Sequence, residues 1–286
     1  MENINMGGKI VMVTGATNGI GKITALELAK MGATVVLVGR NPIKTAKVMA
    51  EFQQTLGGKG KLDSIIGDLS SLADIHSVAQ TFLSKYDRLD VLVNNAGGFF
   101  SKRLESVDGY EMTFALNHLN YFLLTKLLLE VLKKSAPARI VNVSSAAHFG
   151  NSINFNDLQR KQKYNSWRVY AESKLMNILF TRSLAQRLEG TGVTVNALHP
   201  GFVATSFGHG KGMMGFATKI AQKIFAISPQ EGAQTTIFLA SSPQVAGVTG
   251  KYFGKCQEQK PTVQALDDIA AEKLWQISEE IVQKQV

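Results

Sequence analysis

Cysteine is nearly missing from this chain, with Cys256 alone among 286 residues. That excludes an internal disulfide and a cysteine-built zinc cluster, and it suits a reducing compartment. Long apolar runs are missing too. The best candidate, Phe114 to Leu132, is interrupted by Asn117, His118, Asn120, Lys126 and Glu130, and so falls short of the roughly 18 residues a membrane span needs. The first residues are polar and a strand pattern starts at Lys9, so no secretory leader is expected, and a soluble, cytoplasmic protein is. Basic residues exceed acidic ones, 31 to 22, a net charge of +9. They nevertheless form no basic run and carry no interleaved aromatics, which argues against a nucleic-acid partner. The five histidines, His76, His118, His148, His199 and His209, show no ligand spacing, so no metal is expected.

What is present is a 45% hydrophobic content, which excludes a disordered chain, and a regular alternation of patterns. Short runs rich in Val and Ile read as buried strands: Ile10 to Val13, Thr34 to Val38, Leu62 to Ile66, Val91 to Val93, Ile140 to Val143 and Val193 to Leu198. Helical spacing fills the gaps, over Gly19 to Met31, after Pro42, and over Leu72 to Tyr86, Tyr110 to Lys134 and Val169 to Glu189. Strands apolar on both faces, each followed by a helix, imply a parallel sheet covered on both sides. No repeat or long linker divides the chain. The expectation is one α/β domain over residues 1–286, a doubly wound parallel sheet of Rossmann type.

The first strand runs into Thr14-Gly15-Ala16-Thr17-Asn18-Gly19-Ile20-Gly21, and the first helix opens there. Glycines in such a turn let the backbone approach a pyrophosphate, and the helix N-terminus offers N–H groups and a positive dipole end. Three residues separate Gly15 from Gly19, unlike the common GxGxxG spacing. This pattern, TGxxxGxG, resembles the signature of the short-chain dehydrogenase/reductase family. The resemblance continues in order through Asn94-Asn95-Ala96-Gly97, Tyr170-Ala171-Glu172-Ser173-Lys174 and Pro200-Gly201-Phe202-Val203-Ala204-Thr205. Within the family the chain is most similar to the retinol dehydrogenase-like branch, through Gly39-Arg40-Asn41, Val141 to His148, Asn156-Asp157-Leu158, His199-Pro200-Gly201, Gly250 to Phe253 and Ala271 to Trp275. The hydrophobic N-terminal anchor common in that branch is not seen.

The second strand ends in Gly39-Arg40-Asn41, where many dinucleotide folds carry an acid for the adenosine ribose. A carboxylate there would repel a 2′-phosphate, whereas Arg40 can pair with one. NADP(H) is therefore expected over NAD(H), although Asn18 stands where many NADP-using relatives have a second basic residue. An Arg lying over the sheet edge is the plainer reading of the same residue. Asp68, beside Leu69, matches the family's adenine-contacting position and also suits a capping role before the next helix. The resemblance further implies that Asn94, Ala96 and Gly97 support the strand end and line the ribose. It places Pro200, Gly201, Val203 and Thr205 by the nicotinamide.

Tyr170 and Lys174, four apart on an expected helix, share a face, so the ammonium favours the phenolate. By resemblance Ser145, with Ser144 as the alternative, binds the substrate oxygen, Tyr170 transfers the proton, and Lys174 supports Tyr170 and holds the nicotinamide ribose. Asn117 is implied to help relay a replacement proton through water, and a buried Asn that distorts its helix is compatible with that role. His148 lies close enough in sequence to reach substrate, or to back the site. The segment 202–227, with Phe207, Met213, Met214, Phe216, Ile220, Ile224 and Phe225, suits a substrate lid. Its Lys211, Lys219 and Lys223 suit either weak contact with an anionic membrane surface or a packed helix with a solvated face. The implied activity is that of a carbonyl reductase or alcohol dehydrogenase for an apolar substrate, retinoid- or lipid-aldehyde-like, in a homodimer or homotetramer. The alternative is a catalytically silent dinucleotide-binding scaffold, since fold does not fix function.

Overall fold

A computed structural model describes residues 4–201 and 228–284. The expected lid at 202–227, with Val203 and Thr205, lies outside the described residues.

Strand positions follow the apolar runs: β1 Ile10–Thr14, β2 Thr34–Gly39, β3 Lys61–Ile66, β4 Val91–Asn94, β5 Ala138–Val143 and β6 Val193–Leu198. Two short strands follow, β7 Tyr252–Gly254 and β8 Gln257–Glu258. They form one sheet in the order β3-β2-β1-β4-β5-β6-β7-β8. All neighbours are parallel except β7 and β8. Order reverses on the two sides of β1, which opens a crevice beyond the carboxyl ends of β1 and β4, where doubly wound folds bind ligands. The antiparallel edge departs from the all-parallel expectation. It arises from a two-residue hairpin in which Lys255 and Cys256 both take left-handed backbone, φ 52° and 60°, as such a tight turn requires.

The continuous apolar strands are explained by two buried faces. Met12, Val36, Val38 and Leu92 join one core with Phe82, Tyr121, Phe122 and Phe180. Their chain neighbours Val11, Val13, Val35, Val91 and Val93 join the other with Leu28, Phe52 and Leu239. Successive side chains point to opposite faces, so a strand covered on both sides has no polar alternation to show.

Helices α1 Gly19–Lys30, α2 Pro42–Thr55 and α3 Leu72–Lys85 fall where helical spacing predicts. Asn41 caps α2, its Oδ1 accepting from Lys44 N at 2.9 Å, and Ser71 caps α3. The single helix expected over Tyr110 to Lys134 is instead interrupted: α4 Met112–Phe114, a π-helical turn Ala115–Leu119, α5 Asn120–Leu127 and α6 Leu129–Lys134. Asn117 to Phe122 are all buried, and the Asn120 N–H reaches back to the Ala115 carbonyl, one residue further than in an α-helix. Helix α7, Ser166–Arg187, begins a turn earlier than its apolar pattern because Asn165 caps it, accepting from Arg168 N at 3.0 Å. Two more helices join the layers among the described residues. The first, α8 Pro229–Ser241, starts in a Ser228–Glu231 capping box and packs beside α1; the second, α9 Asp268–Gln283, packs on α7.

Candidate active site

The glycine turn is clasped to the end of β4. Thr14 Oγ1 donates to Val93 O (3.2 Å) and accepts from Asn95 N and Ala96 N (2.9 and 3.0 Å), while Asn95 Nδ2 donates to Thr14 O at 2.8 Å. Gly15 has φ +65°, and a Cβ there would stand 3.0 Å from Ala96 Cα. Gly19 has φ +51°, a conformation that favours glycine. One at Gly21 would collide with the Asn95 side chain and the Gly15 carbonyl. Thr14 and Asn95 are thus functional-site residues that the sequence reading left without a role, though both stand inside its motifs. The bare turn leads straight into α1, whose first N–H groups suit an anion.

Arg40 leaves the end of β2 three-quarters exposed and donates to Asp68 Oδ2 at 3.3 Å. Asp68 does not cap α3; its Oδ1 accepts from Ser70 N and Oγ at 3.0 and 2.7 Å. Burial raises the Asp68 pKa, but the Ser70 hydrogen bonds and the Arg40 charge outweigh it and hold the carboxyl below its ordinary value. Three expected cofactor contacts are placed differently by their side chains. Leu69 is buried in the core, Asn41 is committed to its helix cap, and Asn94 is fully buried, donating to Thr125 Oγ1 and Asn142 Oδ1, both at 2.9 Å. Asn94 therefore supports the strand end, Leu69 has only backbone to offer a ligand, and exposed Asn41 can offer its Nδ2 and backbone but not its capping Oδ1. Arg40, the bare turn, the start of α1 and the open Ala96-Gly97 backbone fit the phosphates and ribose of a dinucleotide.

The second half of the site gathers at the carboxyl ends of β4 and β5. Lys174, buried on α7, has Nζ 5.6 Å from the Tyr170 ring centre and donates to Val143 O at 3.2 Å. Burial pushes the Lys174 pKa from 10.5 down to about 8, and pushes the Tyr170 phenol up to about 12; a hydrogen bond with Ser145 works the other way on Tyr170. The two serines separate cleanly. Ser144 Oγ donates to Lys174 O at 2.6 Å and is buried, whereas Ser145 is partly open and faces Tyr170. Asn117 sits in the π-turn. Its Oδ1 accepts from Gly98 N at 2.7 Å, and its Nδ2 donates to Gly98 O and Ser173 Oγ, both at 3.0 Å. A Cβ on Gly97 would lie 3.1 Å from Asn117 Oδ1 and 3.5 Å from Lys174 Nζ, so this glycine keeps the space between them open. Phe99 packs edge-on to Tyr170 at 5.8 Å, and the exposed Trp167 lies 6.2 Å from it.

His148 corrects an expectation. It is fully buried, with Nδ1 2.8 Å from Ser145 O and Nε2 accepting from Thr262 N at 3.5 Å. It backs the Ser145 turn and offers no surface to a substrate. Burial lowers its pKa, with His199 adding to the effect. Pro200 and Gly201 follow β6 at the same end of the sheet, and Gly201 N donates to His199 Nδ1 at 3.2 Å.

A glycine turn at the switch point, facing a Ser-Tyr-Lys group at the next strand end, defines a dinucleotide-dependent dehydrogenase. The chain matches the short chain dehydrogenase family over residues 9–213 and belongs to it, as an oxidoreductase of alcohol and carbonyl groups that uses a nicotinamide dinucleotide. It is 45% identical to human retinol dehydrogenase 14, over 97% of this chain and 87% of that protein. Human retinol dehydrogenase 13 is 42% identical, with 96% and 85% covered. Among solved structures, a Mycobacterium paratuberculosis protein superposes with a TM-score of 0.78 at 30% identity, covering 98% and 95%. The Pseudomonas aeruginosa RhlG/NADP active-site complex does so with a TM-score of 0.69 at 29% identity, covering 88% and 97%. Among the described residues, no helix is long and apolar enough to cross a membrane.

Proposed function

We propose that this protein is an NADP(H)-dependent oxidoreductase for apolar aldehydes, ketones or their alcohols, of retinoid or lipid-aldehyde type. The observation that carries the reading is the convergence of Ser145, Tyr170 and Lys174 at the end of β5, beside the open Gly97 backbone. The nicotinamide supplies or accepts the hydride. At neutral pH the Tyr170 phenol, with its pKa near 12, holds its proton and can donate it to a substrate oxygen that Ser145 also holds. The Lys174 ammonium, mostly charged below its pKa of about 8, stabilises the phenolate left behind. Asn117, locked by Gly98 and Ser173, keeps the π-turn and the Gly97 region in register.

Preference for NADP(H) rests on Arg40, which would exchange its exposed pairing with Asp68 for a charge-assisted bond to a 2′-phosphate; the NADP-bound relative supports it. The retinol dehydrogenase relatives and the aromatic flanks Phe99 and Trp167 support an apolar substrate. The single cysteine and the want of a spanning helix among the described residues support work in solution, in the cytoplasm. Following NADPH and NADH absorbance over a panel of aliphatic, aromatic and polyene aldehydes tests the reading. Turnover is expected with NADPH. In Tyr170→Phe it should vanish while coenzyme still binds, and undiminished turnover in that variant would sink the mechanism.

A further inference from the structure

Two buried residues whose carboxylates this mechanism leaves over, Glu172 and Glu111, both contact one dipeptide, the first through its carboxylate and the second through its backbone N–H. Glu172 sits on α7 between Tyr170 and Lys174, yet at 100° per residue it stands about 200° round the helix from Tyr170, behind the reacting face. Its side chain is 3% exposed, and the carboxylate accepts from Arg160 Nη2 and from Arg168 Nε at 2.9 Å. Arg160 is itself buried, with 8% of its side chain exposed, and takes left-handed backbone at φ 51°. The preceding residue reaches the other catalytic helix. Gln159 Oε1 accepts from Glu111 N at 2.8 Å, and Gln159 O accepts from Arg103 Nε at 3.0 Å. Fully buried Glu111 in turn caps α4, accepting from Thr113 N at 2.9 Å and Phe114 N at 2.8 Å, immediately before the π-turn that holds Asn117.

A buried ion pair seldom adds net stability over apolar replacements of similar size, and a left-handed arginine adds a backbone cost of its own. Both costs fall on adjacent atoms of one loop, between the two helices that carry the site. We propose that Gln159-Arg160 ties those helices together, and that Glu172 and Glu111, its buried anchors, are positioning residues that set where Tyr170 stands relative to Asn117 and Ser145. The inference rests on the reading of Tyr170 as the proton donor.

The test uses the full chain, NADPH and an aldehyde that the wild type reduces, with three variants: Glu172→Gln, Gln159→Ala and the double variant R160M/E172L. Glu172→Gln and Gln159→Ala are expected to lower kcat by about ten- to a hundredfold, the range for a misplaced reacting group, with coenzyme Kd unchanged. The double variant removes both charges of the Arg160–Glu172 pair, so its thermal midpoint should rise above that of Glu172→Gln while kcat stays low. That variant also gives the answer if Glu172→Gln fails to fold. Wild-type kcat in Glu172→Gln, or kcat recovering together with the midpoint in R160M/E172L, would overturn the proposal and leave the pair a purely structural one. Wild-type protein inactive across the panel would instead refute the functional reading and, with it, the role on which this inference stands.

Discussion

Replacing Lys174 with Met should remove activity and make the protein more stable. The ammonium is buried against Tyr121, Tyr170 and the Val143 carbonyl, and its pKa falls from 10.5 to about 8. At pH 7 the native state binds that proton more weakly than the unfolded chain, which corresponds to about 3 kcal/mol of destabilisation at 1.36 kcal/mol per pKa unit. Met keeps the apolar stem and loses one hydrogen bond, about 1 kcal/mol. The Val143 carbonyl retains Tyr121 Oη at 3.3 Å and Asn177 Nδ2 at 3.4 Å. The net expectation is a gain of about 2 kcal/mol at pH 7. Between about pH 8 and 10.5 the unfolded chain keeps the proton that native Lys174 has lost, so wild-type stability rises with pH through that window. The advantage of K174M should therefore shrink almost to zero by pH 9.5. Urea unfolding followed by Trp167 and Trp275 fluorescence at the two pH values measures it. A variant less stable than wild type at pH 7, or a difference that does not change with pH, would refute the reasoning.

Ser145→Ala should lower kcat by about a hundredfold, as expected for a lost hydrogen bond to a developing charge. Ser144→Ala should keep turnover and lose about 1 kcal/mol of stability with its bond to Lys174 O; parallel kinetics and melting curves separate the two. Arg40→Ala should weaken NADPH binding about tenfold and leave NADH unchanged in fluorescence titrations, and equal losses would remove the case for a 2′-phosphate contact. Substituting the left-handed pair Lys255-Cys256 by Asn-Gly should raise stability by about 1 kcal/mol, since the Cys256 backbone N–H can still donate to Thr235 Oγ1. A lowered thermal midpoint would contradict that account of the turn.

Local signals carried the first two-thirds of the fold. A strand buried on both faces must be a short run of Val, Ile and Leu, and the helices between declare themselves by spacing, so β1 to β6 and most of α1, α2, α3 and α7 were legible. The glycine turn and the Tyr170–Lys174 pair were legible for the same reason, because their chemistry depends on near neighbours along the chain. The β7–β8 hairpin was not, since Lys255-Cys256 carries none of the glycine or asparagine usual at left-handed turn positions. The break at Asn117 was legible only as a local distortion by a buried Asn; the π-turn itself depends on a partner nineteen residues away at Gly98 and another fifty-six away at Ser173.

The tertiary structure alone decided which side chains face the crevice. Sequence preferred Ser145 to Ser144 only by resemblance; packing gave Ser144 to the Lys174 backbone and left Ser145 by the phenol. Leu69 moved from an expected contact into the core, and of the two places open to His148 and to Asn94 packing took the supporting one, because burial committed their side chains elsewhere. The perturbed states of Lys174 and Tyr170 belong to the same level. A residue type names a proton carrier, but the desolvation that sets when it carries the proton comes from groups brought in by β4, β5 and the π-turn, which the chain order does not reveal.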